Sequence, residues 1–488
     1  MSAPGRACSY VDGEFVAATG TLAVENPATE EVVVEASAAD LATFERAILA
    51  ARRAFDAGEW SGRGPAARAV AVRALLDHLD SCREELVATM VAQTGCPISL
   101  TRSTQVGMAL KLGRDLVELI AAAPEDEYAP TPIDELGRPP SLRVSTLRYE
   151  PAGVAALITP YNFPLLMDVV KVVPALMVGC TAVLRPSPLT PLTAPFFGEA
   201  ADAAGIPSGV LNVVLENGSE GAALLTTHPA VDVVSFTGST AVGRAVARQA
   251  SGTLKQVQLE LGGKSAQIHL PGASAGAAAR AIEVFARHAG QFCGAQSRMF
   301  VHEDERAAVL EALARRAEEM VVGDPLDPAV QMGPVISGAQ LDRCLGYVDA
   351  AVEAGATVVT GGAAIERFER GHYMAPTVLD CPSQDNPAVR EEIFGPVVCV
   401  LGYHEVEEAI AMANDTDYGL SGAVYGPVEE AIAVARRIRS GTVGVNGTAY
   451  TAWTPHAGWK QSGLGIEGGL LGARQFQLVK HMPIASPR

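Results

Sequence analysis

From Val154 onward the chain repeats one pattern, a short and nearly continuous apolar run followed by a longer stretch with apolar residues three and four apart. The runs are "GVAALITP", "TAVLRPS", "GVLNVVLE", "VDVVSFTG" and "LKQVQLELGG"; between them lie "FPLLMDVVKVVPALMVG", "LTAPFFGEAADAAG", "EGAALLTTHP" and "TAVGRAVARQAS". Strands that are apolar on both faces need cover on both, and strands separated by helices join in parallel. The pattern predicts a doubly wound α/β sheet, with its ligand crevice outside the carboxyl ends of the strands.

The rest of the chain adds to this unit. At 488 residues it exceeds what one hydrophobic core supports, so two or three domains are expected. The segment up to about residue 120 reads mostly helical, in "DLATFERAILAARRAFDAGEW" and "AARAVAVRALLDHLDSCREELVATMVAQTG", with the turn-rich "GEWSGRGP" between them. After a Pro-rich acidic loop, "SLRVSTLRYEPAGV" alternates like strands that leave the domain body. Residues 261 to 445 return to the α/β style and predict a second α/β domain. The tail "ARQFQLVKHMPIAS" reads as one strand, either pairing with a partner subunit or buried within the monomer.

Charge and cysteine placement narrow the function. A net charge of -18 argues against a nucleic-acid partner, which calls for a basic face. The 8 cysteines, at positions 8, 82, 96, 180, 293, 344, 381 and 399, form no CxxC pair and no Cys/His cluster, so no metal site is expected. Reduced thiols are the simpler account for a chain too large to need staples. The opening "MSAPGRACSYVDGEF" lacks an apolar signal core, and no run of about 18 apolar residues occurs, so a cytoplasmic protein without a membrane partner is expected.

Four features carry chemistry. "FTGSTAVG" marks a strand-to-helix turn whose N–H groups suit a phosphate, though a plain βα turn reads the same way. "LELGGKS" ends a strand in Glu260, which is either solvated, paired with a lysine, or turned into a cleft. In "TPYNFP", Asn162 either caps the next helix or donates to an oxyanion, and spacing alone favours the cap. In "HAGQFCGAQSR", Cys293 sits among small residues that leave its sulfur approachable, where nearby N–H groups favour a thiolate; His288 reads as an exposed helix-end histidine.

These motifs, followed by "EEIFGPVV", "NDTDYGLSGAVY" and "KQSGLGIEGG", stand in an order that resembles the aldehyde dehydrogenase superfamily over essentially the whole chain. The resemblance implies a cofactor-binding domain of residues 1–123 and 147–258 with a return segment at about 447–468. It further implies a catalytic domain of 259–446 and oligomerisation segments at 124–146 and 469–488, the latter forming a small β arm. It implies Cys293 as the nucleophile that forms a thiohemiacetal and then a thioester, Asn162 and the Cys293 N–H as oxyanion donors, and Glu260 as the base for the hydrolytic water. A carboxylate at Glu260 favours release of the free acid over transfer to coenzyme A. NAD or NADP is the implied cofactor, NAD first. Its implied contacts are Thr159, Pro160, Tyr161, Arg185, Ser187, Pro188, Phe236, Gly238, Ser239, Gly243, Leu261, Gly262, Glu392 and Phe394, with Lys171 in the helix bordering the site.

Departures from the family pattern bear on specificity. "RPSP" puts Arg185 and Pro188 where the family usually has lysine and a ribose-binding glutamate, so electrostatics no longer oppose the 2′-phosphate of NADP. "PHAG" puts His456 where an aromatic ring usually lines the acyl pocket, and Ile466 replaces an arginine. With Met167, Val170 and Trp453, His456 is expected to line a mostly apolar substrate pocket, by contact with substrate or by filling space. The implied activity is oxidation of an aldehyde to a carboxylic acid by a homodimer or homotetramer. A semialdehyde or betaine-aldehyde dehydrogenase is the alternative, and a non-catalytic binding or assembly protein is the rival class, which the presence of Cys293, Glu260 and Asn162 disfavours.

Overall fold

The computed structural model describes residues 7–133, 141–274, 276–447 and 451–484. Its first sheet is built on five parallel strands, β1 (Val154–Ile158), β2 (Thr181–Arg185), β3 (Leu211–Val213), β4 (Val233–Thr237) and β5 (Gln256–Glu260). They lie in the order β3-β2-β1-β4-β5, so the chain reverses direction across the sheet between β1 and β4, where a crevice opens at the carboxyl ends. Every residue of β1, β2 and β4 is buried, as the continuous apolar runs require. Ser9–Val11 and Glu14–Val16 extend the sheet beyond β3, and Gly463–Leu464 returns late in the chain to flank β5.

Between β1 and β2 runs α1 (Pro164–Val178), a helix apolar nearly all round and so buried against both the sheet and the N-terminal helices. Pro164 occupies its first turn, where no N–H is needed, and Gly179 ends it at φ +101°. α2 (Glu220–Thr227) and α3 (Thr240–Ala250) cover the other side of the sheet's carboxyl ends.

The second sheet contains β6 (Ala266–His269), β7 (Arg298–His302), β8 (Thr377–Asp380), β9 (Val397–Tyr403), β10 (Ser421–Tyr425) and β11 (Thr442–Val445), all parallel, in the order β8-β9-β7-β6-β10-β11. An antiparallel strand, Thr357–Thr360, closes its β8 edge. Between β6 and β7 lies α4 (Ala277–Phe285), and the β6 and β7 segments hold the cysteine loop between them.

The N-terminal segment is less uniformly helical than its periodicity predicts. It opens with four short strands, and the hairpin Gly20–Asn26/Glu31–Ala38 escapes an alternation reading because Val32, Val33 and Val34 stand in a row, with Val32 and Val33 exposed. A π-helical segment, Thr101–Met108, interrupts the helical stretch before Ala109–Ala121. The arm is a three-stranded antiparallel sheet with Ser141–Pro151 between Asp126–Ile133 and the tail strand Gln477–Ile484. The tail thus pairs within its own chain, while residues 134–140 and 485–488 of the arm segments lie outside the described residues. Among the described residues, no helix is long and apolar enough to cross a membrane.

Candidate active site

A cavity of about 1350 Å³ opens at the carboxyl ends of β1, β4 and β5 and runs beneath the second sheet. Asn162, Glu260 and Cys293 all line it, although they come from three separate segments of the chain.

Cys293 reaches the cavity through a contorted loop. After α4 ends, His288 (φ +48°), Ala289 (φ +52°) and Gly290 (φ +71°) are left-handed in succession. Such backbone costs an L-residue about 1–2 kcal/mol and gathers at functional sites. Gly290 is required here, since a Cβ would stand 2.0 Å from the Gly395 carbonyl oxygen. His288 is buried rather than exposed as its sequence position suggested; its ring meets Phe163 edge-on at 5.5 Å, and burial lowers its pKa to about 4. Cys293 is half-buried because the cavity opens on it, yet its surroundings hold the thiol up at about 12. Burial contributes most, followed by the charges of Glu260 and Glu392, and these outweigh the Gly294 N–H that pulls the other way. The resting sulfur is therefore a thiol, contrary to the sequence expectation of a favoured thiolate.

Asn162 does not cap α1, whose N-cap is Phe163 with no side-chain bond. Its Nδ2 donates instead to the Gln291 carbonyl at 2.9 Å, joining the β1 loop to the cysteine loop. Gln105, from the π-helical segment, donates through Nε2 to the Asn162 carbonyl at 2.9 Å and holds that backbone from behind. The second Nδ2 hydrogen is left for another acceptor.

Glu260 ends β5, opposite Thr237 on one side and Gly463 on the other. It is 4% exposed, and neither carboxylate oxygen makes a well-formed hydrogen bond among the described residues, although the Gly458 N–H lies close enough to stabilise its charge. Burial, and then the charge of Glu467, raise its pKa well above the usual range, partly offset by Lys171. Lys171 is itself committed, since its buried Nζ donates to Glu467 Oε1 at 2.5 Å and to Ser235 Oγ at 2.9 Å. Glu260 is thus neither solvated nor lysine-paired. Sequence reasoning did not single out Glu467; its only local signal is its place beside Ile466 in "GLGIEGG". Asp168, one turn before Lys171, was missed as well. It accepts from Thr159 Oγ1 at 2.7 Å, has Oδ2 unpartnered, and burial raises its pKa to about 7 against the opposing effects of Thr159 and Lys171.

At the other end of the cavity, Ser239 caps α3 by accepting from the Val242 N–H at 3.4 Å, so the helix N-terminus faces the crevice beside Phe236 and Gly238. Thr159, Pro160, Tyr161, Ser187, Leu261 and Gly262 line the same space. A Cβ on Gly262 would meet Glu392 Oε2 at 2.1 Å; the Gly263 N–H donates to Glu392 Oε1 at 3.0 Å. Phe394, at φ +63°, packs edge-on to Tyr161 at 5.9 Å. Two implied contacts fall elsewhere. Gly243 is buried where a Cβ would meet Leu261 at 2.4 Å, so it serves helix packing, and Pro188 lies outside the lining.

Arg185 lines the cavity, but its charge is already matched. Its Nε donates to Glu216 Oε1 at 2.6 Å and its NH2 to the Gly218 carbonyl at 2.5 Å, in a pair that is buried on both sides. A carboxylate three residues beyond β3 thus neutralises Arg185, so its charge is not free to attract a 2′-phosphate.

Of the expected substrate-pocket residues, Met167 and His456 line the cavity and Val170 and Trp453 do not. Val170 faces the core on α1, and Trp453 is 58% exposed. Thr104 and Met108, from the π-helical segment, contribute instead. No sequence signal marked that segment, because one extra residue per helical turn leaves the local composition unchanged.

Residues 15–482 match the aldehyde dehydrogenase family. Aminoacetaldehyde dehydrogenase of Pseudomonas aeruginosa is 38% identical over 478 residues, which are 95% of this chain and 92% of that protein. The structure of betaine aldehyde dehydrogenase from Staphylococcus aureus in complex with NAD+ is similar at a TM-score of 0.93 and 35% identity, covering 98% of this chain and 94% of that one. An aldehyde dehydrogenase C variant from Pseudomonas syringae, complexed with NAD+ and octanal, is similar at a TM-score of 0.92 and 38% identity, covering 99% and 98% of the two chains. With its site on the carboxyl edge of a doubly wound sheet and this match along nearly its whole length, the chain belongs to the aldehyde dehydrogenase family.

Proposed function

We propose that this protein oxidises an aldehyde to its carboxylic acid with NAD(P)+, with Cys293 as nucleophile, Asn162 as oxyanion donor and Glu260 as the base for hydrolysis. The observation that carries this reading is the convergence of the three side chains on one cavity, where Glu260 presents a buried carboxylate that no side chain hydrogen-bonds among the described residues. A dinucleotide fits the other end. The α3 N-terminus offers N–H groups to a pyrophosphate, Glu392 and Phe394 flank the space for a nicotinamide ribose and ring, and Gly262 leaves room that a side chain would fill. When bound there, NAD(P)+ accepts the hydride lost from the aldehyde carbon.

The residues divide the work. The Cys293 thiol gives its proton to a cavity water as Sγ bonds to the aldehyde carbon, and Asn162 and the Cys293 N–H hold the oxygen on which negative charge grows. Once that carbon is at the thioester level, Glu260 takes a proton from water as the water oxygen attacks, and the C–S bond breaks toward sulfur. The experiment is aldehyde-dependent NAD(P)H formation in Cys293→Ala and Glu260→Gln. Full activity in Cys293→Ala refutes the reading.

A substrate with a remote negative charge is the second reading. Arg287 lines the cavity with an exposed guanidinium that no described carboxylate pairs, which favours an ω-carboxylate semialdehyde over a cationic betaine aldehyde. A panel of neutral, anionic and cationic aldehydes with each cofactor separates the two. The reading extends to a homo-oligomer in the cytoplasm. The arm's tail strand exposes Leu478, Val479 and Ile484 at 50%, 60% and 55%, and light scattering on the full chain tests for a dimer or tetramer. Eight free thiols suit a reducing compartment.

A further inference from the structure

The segment that carries Glu392 and Phe394 has no regular structure of its own. It lies between the short helix Pro387–Arg390 and the start of β9 at Val397. Phe394 is left-handed there at φ +63°, a conformation that is costly for any residue with a Cβ. Among the described residues, no backbone N–H reaches the carbonyls of Glu392, Ile393 or Phe394.

Two side chains of one helix, α5 (Gly338–Glu353), meet those three carbonyls instead. Ser337 caps α5 by accepting from the Gln340 N–H at 3.2 Å, which sets where the helix begins. Gln340 and Arg343, three residues apart, then stand on one face of its first turns. Gln340 Nε2 donates to the Ile393 carbonyl at 3.1 Å and to the Phe394 carbonyl at 2.9 Å, with Cys344 Sγ farther off at 3.5 Å. All of these partners are acceptors, so the amide cannot turn over without losing them. Arg343 Nη2 donates to the Glu392 carbonyl at 2.7 Å and to Tyr347 Oη at 3.2 Å.

The start of α5 also meets the cysteine loop. The Ile336 N–H donates to Gln291 Oε1 at 2.9 Å, and the Gln291 carbonyl is the one that accepts from Asn162. Gln340 and Arg343 line the same cavity as Glu392, Phe394 and Cys293. One helix and its cap thus hold backbone on both sides of the space between the sulfur and the nicotinamide end.

From this geometry we infer that Gln340 and Arg343 are positioning residues for hydride transfer, acting through Glu392 and Phe394 by fixing the carbonyls of residues 392–394. This rests on the NAD(P)+ reading proposed above. Without the clamp the left-handed turn at Phe394 relaxes, and Glu392 and Phe394 no longer hold the ribose and ring at a fixed distance from the aldehyde carbon on Cys293. Hydride transfer is steep in that distance.

The test separates the cofactor end of the cavity from the thiol end. p-Nitrophenyl acetate acylates a reactive thiol without a nicotinamide, so its burst and steady rate read Cys293 and Glu260 alone. In Gln340→Ala and Arg343→Ala both ester rates should stay at the wild-type level, because the bond from Ile336 to Gln291 comes from the backbone. NADH affinity, read from the fluorescence of the bound nicotinamide, should fall about tenfold. The isotope effect on oxidation of a 1-deuterated aldehyde should rise, because hydride transfer becomes the slow step. Arg343→Lys keeps a charged donor and should recover most of the loss. Wild-type NADH affinity or a wild-type isotope effect in either alanine variant overturns the inference. An equal fall in ester and aldehyde rates also overturns it, since that marks a structural role only. If Gln340→Ala fails to fold, Arg343→Ala, at an exposed position, decides the matter. A wild-type protein that shows the ester burst but binds neither NADH nor NADPH removes the parent reading, so its failure is distinct from failure of the clamp.

Discussion

Arg185 at the end of β2 and Glu216 beyond β3 form a buried ion pair, with Nε 2.6 Å from Oε1. Glu216 also accepts from the Gly221 and Ala222 N–H groups, at 2.8 and 3.1 Å, and so ties the pair to the start of α2. An arginine held this way is not available to a 2′-phosphate. NAD should therefore be preferred over NADP in kcat/KM. Glu216→Gln releases the guanidinium and should raise the NADP/NAD ratio about tenfold, the worth of one charge-assisted hydrogen bond. An unchanged ratio would separate Arg185 from cofactor choice. The variant should also be less stable, since a broken buried pair leaves an uncompensated charge.

The Cys293 thiol, held up at about 12 by burial and by Glu260 and Glu392, should alkylate slowly at neutral pH. Inactivation by iodoacetamide should keep accelerating as pH rises through 9 and beyond, because only the thiolate reacts and its fraction grows up to the pKa. A plateau near pH 7 would show a thiolate already formed in the resting protein.

Asp168 makes stability depend on pH. Its folded pKa of about 7 lies above the ordinary value of 3.8, so the folded state holds a proton that the unfolded chain has lost. Destabilisation from this group is absent below the unfolded pKa, grows as pH rises between the two values and is complete above about 7. Its upper bound is about 4 kcal/mol. Asp168→Asn keeps an acceptor for Thr159 and removes the charge. Its melting temperature should exceed the wild-type value at pH 8, and the gap should close toward pH 4. An equal gap at both values would refute this assignment.

Gly290→Ala should disable the cysteine loop. The left-handed backbone alone costs alanine about 1–2 kcal/mol, and the contact with the Gly395 carbonyl adds to that. The expected outcome is loss of most aldehyde-oxidising and esterase activity together with a lower melting temperature. Near wild-type values for both would mean that the loop relaxes without consequence.

Much of the scaffold was legible in local pattern. Continuous apolar runs placed β1, β2 and β4, the "FTGSTAVG" turn announced the start of α3, and Glu260 ended β5 where its motif put it, because strand and helix periodicity depend on neighbours within a few residues. The motif order also marked Asn162, Glu260 and Cys293 as candidates. Their surroundings were not legible. Lys171 pairs with a residue 296 positions away, Asn162 bonds a carbonyl 129 positions away, and Arg185 meets a carboxylate from the loop beyond the neighbouring strand. His288 looked exposed and is buried, and Trp453 looked like pocket lining and faces solvent. Charge, burial and reach at a site are set by whatever the folded chain brings alongside, and a doubly wound sheet brings together strand ends that are far apart in the chain. The candidate chemistry could thus be read from neighbouring residues, while the protonation and charge environment of Glu260, Cys293 and Arg185 followed from contacts that exist only after folding.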